Sequence, residues 1–177
     1  MADSATPRWL ILPLGAEHDR PAFKCGKPDL AAYLKSYALQ NQQKNISRTY
    51  VALHPGSNRI AGYYTVSSGS VAFNILPRER QKGLPKYPIP VVHVGRLAVD
   101  LAHQGKRLGE FLLLDALRRA KRVAISELGI CGVEVRALDE QAKAFYRKYG
   151  FTELADDKLH LYLPMSVIQQ LELSAHE

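Results

Sequence analysis

Apolar positions along the chain follow two periods, and the changes from one to the other mark its elements. Trp9-Leu-Ile-Leu-Pro-Leu14 is a short apolar run closed by Gly15 and predicts a first strand. From Leu30 to Gln40 the period lengthens. Leu30, Tyr33, Leu34, Tyr37 and Ala38 recur at helical spacing behind Pro28 and Asp29, and Asp29 is expected to cap that helix. Gln40–Lys44 is uniformly polar and reads as a loop. Arg48–His54 and Arg59–Ser68, separated by Pro55-Gly-Ser-Asn58, predict a hairpin. Ile75–Pro90 is rich in Pro and Gly and reads as a loop with one helical turn. Val91–Asp100 is almost unbroken in its apolar character, as in a strand covered on both faces.

The second half repeats the alternation. Leu108–Ser126 predicts a long helix with Leu112, Leu113, Ala116, Ala120 and Val123 on one face and Arg118, Arg119, Lys121 and Arg122 on the other. Gly129–Ala137 returns to period two, with Cys131, Val133 and Val135 on one face and Glu134 and Arg136 on the other. Asp139 is placed to cap a helix over Glu140–Tyr149, which Gly150 ends. Phe151–Leu154 and His160–Met165 predict a closing antiparallel pair, and Ser166–Glu177 reads as a frayed helix. This order describes an α/β (α+β) protein: a single mixed central sheet of six to seven strands with helices on both faces. No repeat, low-complexity segment or linker interrupts it, so residues 1–177 are expected to form one domain.

Composition adds one fact to this picture. The hydrophobic share of 46% is ordinary, but the formal charge is +7. A basic chain suits an anionic partner, either a nucleic acid or a phosphorylated cofactor. Arg78, Arg80, Lys82 and Lys86 concentrate part of that charge in the Pro-rich segment, against one Glu79. Cys25 and Cys131 are far apart and form no metal or redox spacing, which suits free thiols in a reducing cytoplasm. No apolar run is long enough for a membrane span, and Met1–Pro7 lacks the apolar core of a signal peptide. A cytoplasmic location is expected.

The candidate chemistry lies in Gly95–Gly109, where the apolar strand passes through a polar turn into the long helix. The first amides of a helix have no intrahelical acceptor, and with the helix dipole they favour phosphate. The patterns GxxxxGK[ST], GxGxxG, HExxH, CxxC and GxSxG are all absent, and no metal is expected. The six histidines are scattered. His93 alone falls in the central strand, where a lone histidine is ordinarily a packing residue.

Two segments carry a resemblance. Gln104-Gly-Lys-Arg-Leu-Gly109, between strand and helix, resembles the acyl-CoA pyrophosphate loop of the GNAT N-acetyltransferase superfamily, Gln/Arg-x-x-Gly-x-Gly/Ala. Ala142-Lys-Ala-Phe-Tyr-Arg-Lys-Tyr-Gly-Phe151 is similar to that superfamily's late helix and strand, AxxFYxxxGF. Arg107 departs from the pattern, standing at its first glycine. If the position needs positive φ, a non-glycine residue costs on the order of 1 kcal/mol, which pairing with a cofactor phosphate would offset. Phe23-Lys-Cys-Gly, Gly62-Tyr-Tyr-Thr, Pro88-Ile-Pro, Gly95-Arg-Leu-Ala-Val-Asp and Phe145-Tyr146 extend the likeness, over almost the whole chain, to the TacT-like GNAT toxins of bacterial toxin–antitoxin operons.

That resemblance implies a GNAT fold and a toxin that acetylates the free α-amino group of aminoacyl-tRNA, blocking translation. It also implies acetyl-CoA as co-substrate, a ribbon-helix-helix antitoxin and a homodimer. Carried onto this chain, it gives Leu97, Ala98 and Val99 to the pantetheine arm. Gln104, Gly105, Lys106, Arg107, Leu108 and Gly109 go to the pyrophosphate, and Tyr146 is the general acid for the departing thiolate. Arg78, Arg80, Lys82, Lys86 and Arg96 are the candidate tRNA contacts. A phenol, with a pKa near 10, keeps its proton at neutral pH and can donate it. The amine attacks directly, without an acyl-enzyme. No base stands out, which suits an α-amine better than a lysine, since an α-amine near 8 is already partly neutral; Glu134, His93 or water remain open as acceptors. Two other readings stand beside this one. The first is a GNAT enzyme of a small-molecule or protein amine. The second is a non-catalytic CoA- or RNA-binding module, which no RNP motif or zinc knuckle supports.

Overall fold

The computed structural model describes residues 9–171. Seven strands form one mixed sheet in the order β1-β2-β3-β4-β5-β7-β6. They are β1 Leu10–Pro13, β2 Arg48–Leu53, β3 Ile60–Val71, β4 Ile89–Val99, β5 Gly132–Arg136, β6 Thr152–Leu154 and β7 Asp157–Pro164. The helices are α1 Pro28–Ser36, α2 Ala38–Gln43, α3 Arg78–Gln81, α4 Leu108–Ser126, α5 Glu140–Arg147 and α6 Met165–Ile168. Two compact units share these elements: Met1–Val66 with Arg96–Leu113, and Ser67–Gly95 with Leu114–Glu177.

In the first unit β1, β2 and the start of β3 form an antiparallel meander. Strand alternation puts successive residues of β3 on opposite faces. Tyr63 is buried, and its hydroxyl donates to the Leu30 carbonyl of α1 at 2.7 Å. Gly62 faces the other way, where Leu108 and Leu112 of α4 crowd it. Helices therefore cover both faces here. The core on the α1 side joins Phe23, Tyr33, Leu34, Val51, Tyr63 and Ala98.

Three local expectations for this unit change. The helix begins at Pro28 with Lys27 at its N-cap, and Asp29 makes no capping bond. Proline's fixed φ starts the helix, while Asp29 in the first turn favours the dipole instead. The helix also breaks at Tyr37 (φ −123°, ψ −29°) and resumes as α2, so much of the polar stretch Gln40–Lys44 is helical rather than loop. Gln42 explains its polarity. Its amide donates to the Leu14 carbonyl at 2.7 Å and accepts from the Thr49 N–H at 3.1 Å, satisfying main-chain groups next to β1 and on β2.

In the second unit β4 runs parallel to β5 over Val91–Val94, and β5, β7 and β6 are antiparallel neighbours. Val71, Leu76, Ile89, Val91, Leu154 and Tyr162 form its core. Asp139 caps α5 by accepting from the Ala142 N–H at 2.8 Å, as its position suggested. The helix ends at Arg147, short of Tyr149, and Gly150 turns the chain at φ +94°. The expected final helix is the single turn α6; Glu172–Glu177 lie outside the described residues.

Candidate active site

In the first unit the turn between β4 and α4 is held from below. The Asp100 carboxylate accepts from the N–H of Lys24 at 3.0 Å and from that of Ala102 at 3.0 Å. Gln104 donates to the carbonyls of Cys25 at 3.1 Å and Val99 at 3.0 Å. The loop Phe23–Cys25 thus clamps the turn. The sequence offered no signal for this beyond the Phe23-Lys-Cys-Gly resemblance.

Above the clamp, Gly105 and Arg107 both adopt left-handed φ, +76° and +64°. The backbone N–H groups of Gly105, Lys106 and Arg107 find no acceptor among the described residues. A side chain at Gly105 would meet nothing within 4 Å, so the surface of the loop is open. Arg107 is 85% exposed and pairs with Glu110 at 3.1 Å. Leu108 is buried and anchors the helix start, and Gly109 follows it half-buried in the first turn. Free amides in a turn of alternating hand, beside Lys106 and Arg107, suit a diphosphate.

Along β4 the main-chain groups alternate in direction. Asp100 donates its N–H to the Ala61 carbonyl of β3 at 2.8 Å, so Ala98 also turns its backbone toward β3. Leu97 and Val99 turn theirs to the opposite edge. β5 reaches that edge only as far as Val94, and the Val99 carbonyl is occupied by Gln104. Of the three residues expected to hold an extended arm, Leu97 and Val99 therefore supply the edge, and Ala98 is buried beneath it.

In the second unit α5 presents Tyr146, buried between Phe145 and Phe151 at ring distances of 5.2 and 5.5 Å. The buried Lys143 ties the same helix to Glu153 of β6 at 2.5 Å, with Arg147 at 3.8 Å. Burial raises the pKa of the Tyr146 phenol above its usual value, which keeps the proton on oxygen at neutral pH. Its hydroxyl has no hydrogen-bond partner among the described residues.

The candidate tRNA contacts belong to different units. Arg78, Arg80, Lys82 and Lys86 are exposed on α3 and the segment after it, in the second unit. Arg96 belongs to the first unit and stacks its guanidinium 3.6 Å above the Tyr33 ring. The structure also brings together groups that sequence reasoning left apart: Glu134 is buried on β5 between His93 and His160, and His160 also contacts Asp156. Burial raises the Glu134 carboxyl, but the hydrogen bond from His160 and the close contact and charge of both histidines outweigh it and hold the group below its ordinary value. Burial likewise works against ionisation of Asp156, and the bond and charge of His160 hold it low.

The fold defines an acyl-CoA-dependent acetyltransferase. The acetyltransferase (GNAT) domain family matches residues 45–153, and the chain belongs to it; it is an N-acetyltransferase rather than a non-catalytic binding module. A tRNA-acetylating toxin from Mycobacterium tuberculosis is 40% identical over 147 residues, covering 83% of this chain and 86% of the relative. The solved structure of AtaT complexed with acetyl-methionyl-tRNAfMet superposes with a TM-score of 0.86 at 29% identity, over 92% of this chain and 98% of that one. A mutant of the AtaT toxin, bound to acetyl-CoA and the C-terminus of the antitoxin AtaR, gives 0.78 at 26% identity, over 94% and 99%.

Proposed function

We propose that this protein is a toxin that transfers the acetyl group of acetyl-CoA to the α-amino group of an aminoacyl-tRNA and so blocks translation. The observation that carries the reading is the presence, in one chain, of an open loop of free amides and a protonated phenol without a protein partner. The substrate is supported by the tRNA-acetylating relative and by the tRNA-bound AtaT structure. When bound, acetyl-CoA supplies an activated acyl group on a thioester.

The chain's own residues do the rest. The amides of Gly105–Arg107, with Lys106 and the Arg107 guanidinium, hold the diphosphate, and Gln104 fixes the loop that presents them. Leu97 and Val99 pair with the arm through main-chain groups, and a backbone N–H there polarises the acyl carbonyl. Tyr146 donates its proton to the departing sulfur. Arg78, Arg80, Lys82, Lys86 and Arg96 contact the tRNA backbone.

The chain works as one acetyltransferase domain, in the cytoplasm, as a homodimer restrained by a ribbon-helix-helix antitoxin. The antitoxin-bound AtaT structure supports an antitoxin partner, and no helix of the described residues is long and apolar enough to cross a membrane. The test is transfer of labelled acetyl from acetyl-CoA to charged tRNA at 50 and 200 mM salt. Acetylated aminoacyl-tRNA, formed with a rate that falls steeply as salt rises, is expected. Acetylation of small amines, with tRNA left untouched and no salt effect, would overturn the substrate assignment.

A further inference from the structure

The helical pair α1–α2 and the start of β2 carry charge of one sign and an exposed aromatic ring that the acetyl-transfer reading above does not use. Residues 30–58 include Lys35, Lys44 and Arg48 and no aspartate or glutamate. All three side chains are exposed, and Arg48 meets the neutral Asn45 at 3.1 Å. Tyr37 stands among them, 57% exposed. It occupies the break between α1 and α2, where its N–H donates to the Tyr33 carbonyl at 2.9 Å and its carbonyl accepts from the Asn41 N–H at 2.8 Å. The backbone is thus held on both sides. The Tyr37 ring stacks with Tyr33, centroids 6.4 Å apart and planes 29° from parallel. Tyr33 is itself fixed. It is buried, its hydroxyl shares a hydrogen bond with Ser47 Oγ at 3.1 Å, and it accepts from Asn41 Nδ2 at 3.2 Å.

The same Tyr33 ring also orients a cation. Cation–π attraction holds the Arg96 guanidinium over it without using an N–H donor, and no acceptor among the described residues takes those donors. Arg96 is half-buried and belongs to the same unit as α1 and α2. It precedes Leu97, which supplies the strand edge for the acyl arm, and shares the α1 face of β4 with Ala98. A fixed guanidinium with unused donors is arranged for an anion, phosphate above all. A rigid, exposed ring is arranged for a second flat π-face. Phosphate beside a flat base is a nucleotide, and it must be unpaired, because bases within a duplex stack on one another. An acidic peptide would satisfy the cations and leave the ring unstacked.

We infer, on the aminoacyl-tRNA reading above, that Tyr37 stacks the unpaired 3′-terminal base of the tRNA while Arg96 holds the adjoining phosphate. Tyr33 is the positioning residue for both. The terminal nucleotide carries the aminoacyl ester, so a base fixed at Tyr37 and a phosphate fixed at Arg96 restrict where the reacting amine can lie. Lys35, Lys44 and Arg48 add a positive surface around the stack. Because every base has a π-face, the stack reads the presence of an unpaired base rather than its identity.

The test measures kcat and KM for aminoacyl-tRNA at several salt concentrations, with thermal melts of each variant. Tyr37→Ala, at an exposed position, should fold as wild type and raise KM by about 5- to 150-fold, the range for losing one stacked base, with kcat little changed. Its salt dependence should keep the wild-type slope, because stacking releases no counterions. Arg96→Gln should instead lower the log–log slope by about 0.7, as for one single-strand phosphate. Tyr37→Trp should restore the affinity that Tyr37→Ala loses. A chemically charged tRNA lacking the base on its 3′-terminal ribose needs no variant to fold. Wild type should show the same rise in KM on it, and Tyr37→Ala should add no further loss, a coupling that a purely structural role would not produce. An unchanged wild-type KM for the tRNA without that base, or Tyr37→Ala within about twofold of wild type on the intact tRNA, overturns the inference alone. A wild type that acetylates no aminoacyl-tRNA overturns the function reading as well.

Discussion

Gly62→Ala tests how the fold sets the height of the loop that holds the cofactor. A Cβ at Gly62 would lie 2.9 Å from Leu112 Cδ1, 3.0 Å from the Ala98 carbonyl oxygen and 3.3 Å from Leu108 Cδ2. Carbon atoms in good contact stand about 3.5–4.0 Å apart, so the start of α4 must retreat by roughly 0.6 Å or more. The leucine tips have little room, because Leu108 and Leu112 are fully buried, and the Ala98 oxygen belongs to the backbone of β4. Overpacking of this kind costs about 1–3 kcal/mol. Alanine recovers about 0.4–1 kcal/mol by restricting the unfolded chain. Taken at their midpoints the two leave a net loss of about 1 kcal/mol, or about 2–4 °C in Tm for a chain of this size. Because the same displacement lifts Leu108 and the preceding amides, KM for acetyl-CoA should rise severalfold in the variant. Thermal melts and cofactor titrations check both parts. An unchanged or raised Tm would refute the packing argument, and a lowered Tm with unchanged KM would refute the link from packing to the loop.

Other expectations follow from particular residues. Arg107→Gly relieves a left-handed residue, worth about 1–2 kcal/mol, but loosens the unfolded chain by about 0.4–1 kcal/mol, so Tm should move by only a few degrees while KM for acetyl-CoA rises; a large drop in Tm would contradict this. Replacing Arg78, Arg80, Lys82 and Lys86 together by Gln should flatten the salt dependence of tRNA acetylation by a log–log slope of about 3, and an unchanged slope would remove them as phosphate contacts. Glu134 is held below the ordinary glutamate value, so the stability it adds is complete above about pH 4.3 and is lost as the pH falls through the depressed native value. Glu134→Gln should accordingly melt lower than wild type at pH 7, with the gap closing as the pH falls through the depressed native value; a constant gap in Tm would contradict the linkage.

What the sequence made legible were the features written in local periods. The helix at Leu108–Ser126 appears with the expected bounds because its apolar face repeats over five turns and a glycine-bearing turn precedes it. The mismatch of Arg107 to a motif glycine raised the question of a positive φ, and the structure answers it at +64°. The break at Tyr37 was hidden because Tyr33, Leu34, Tyr37 and Ala38 keep helical spacing through it. The helical character of Gln40–Gln43 was hidden because Gln42 satisfies distant main-chain groups that no local pattern reveals. The alternating strand placed Glu134 on the face of Arg136, opposite Cys131, Val133 and Val135. Its burial comes from strand register, which sets it beside His93 and brings His160 within reach. At the site, the residue types were readable one by one, while the Phe23–Cys25 clamp and the division of labour between Ala98 and its neighbours depend on strand pairing and loop contacts.

The central claim is that Tyr146 supplies the proton for acetyl transfer to aminoacyl-tRNA. Single-turnover transfer by Tyr146→Phe, with cofactor binding followed in parallel by calorimetry, tests it most directly. The phenol has no hydrogen-bond partner to lose among the described residues, so the variant should keep its Tm and its affinity for acetyl-CoA while transfer falls by about 100-fold or more, the range of general acid catalysis. Transfer at the wild-type rate with undiminished cofactor binding would contradict the account.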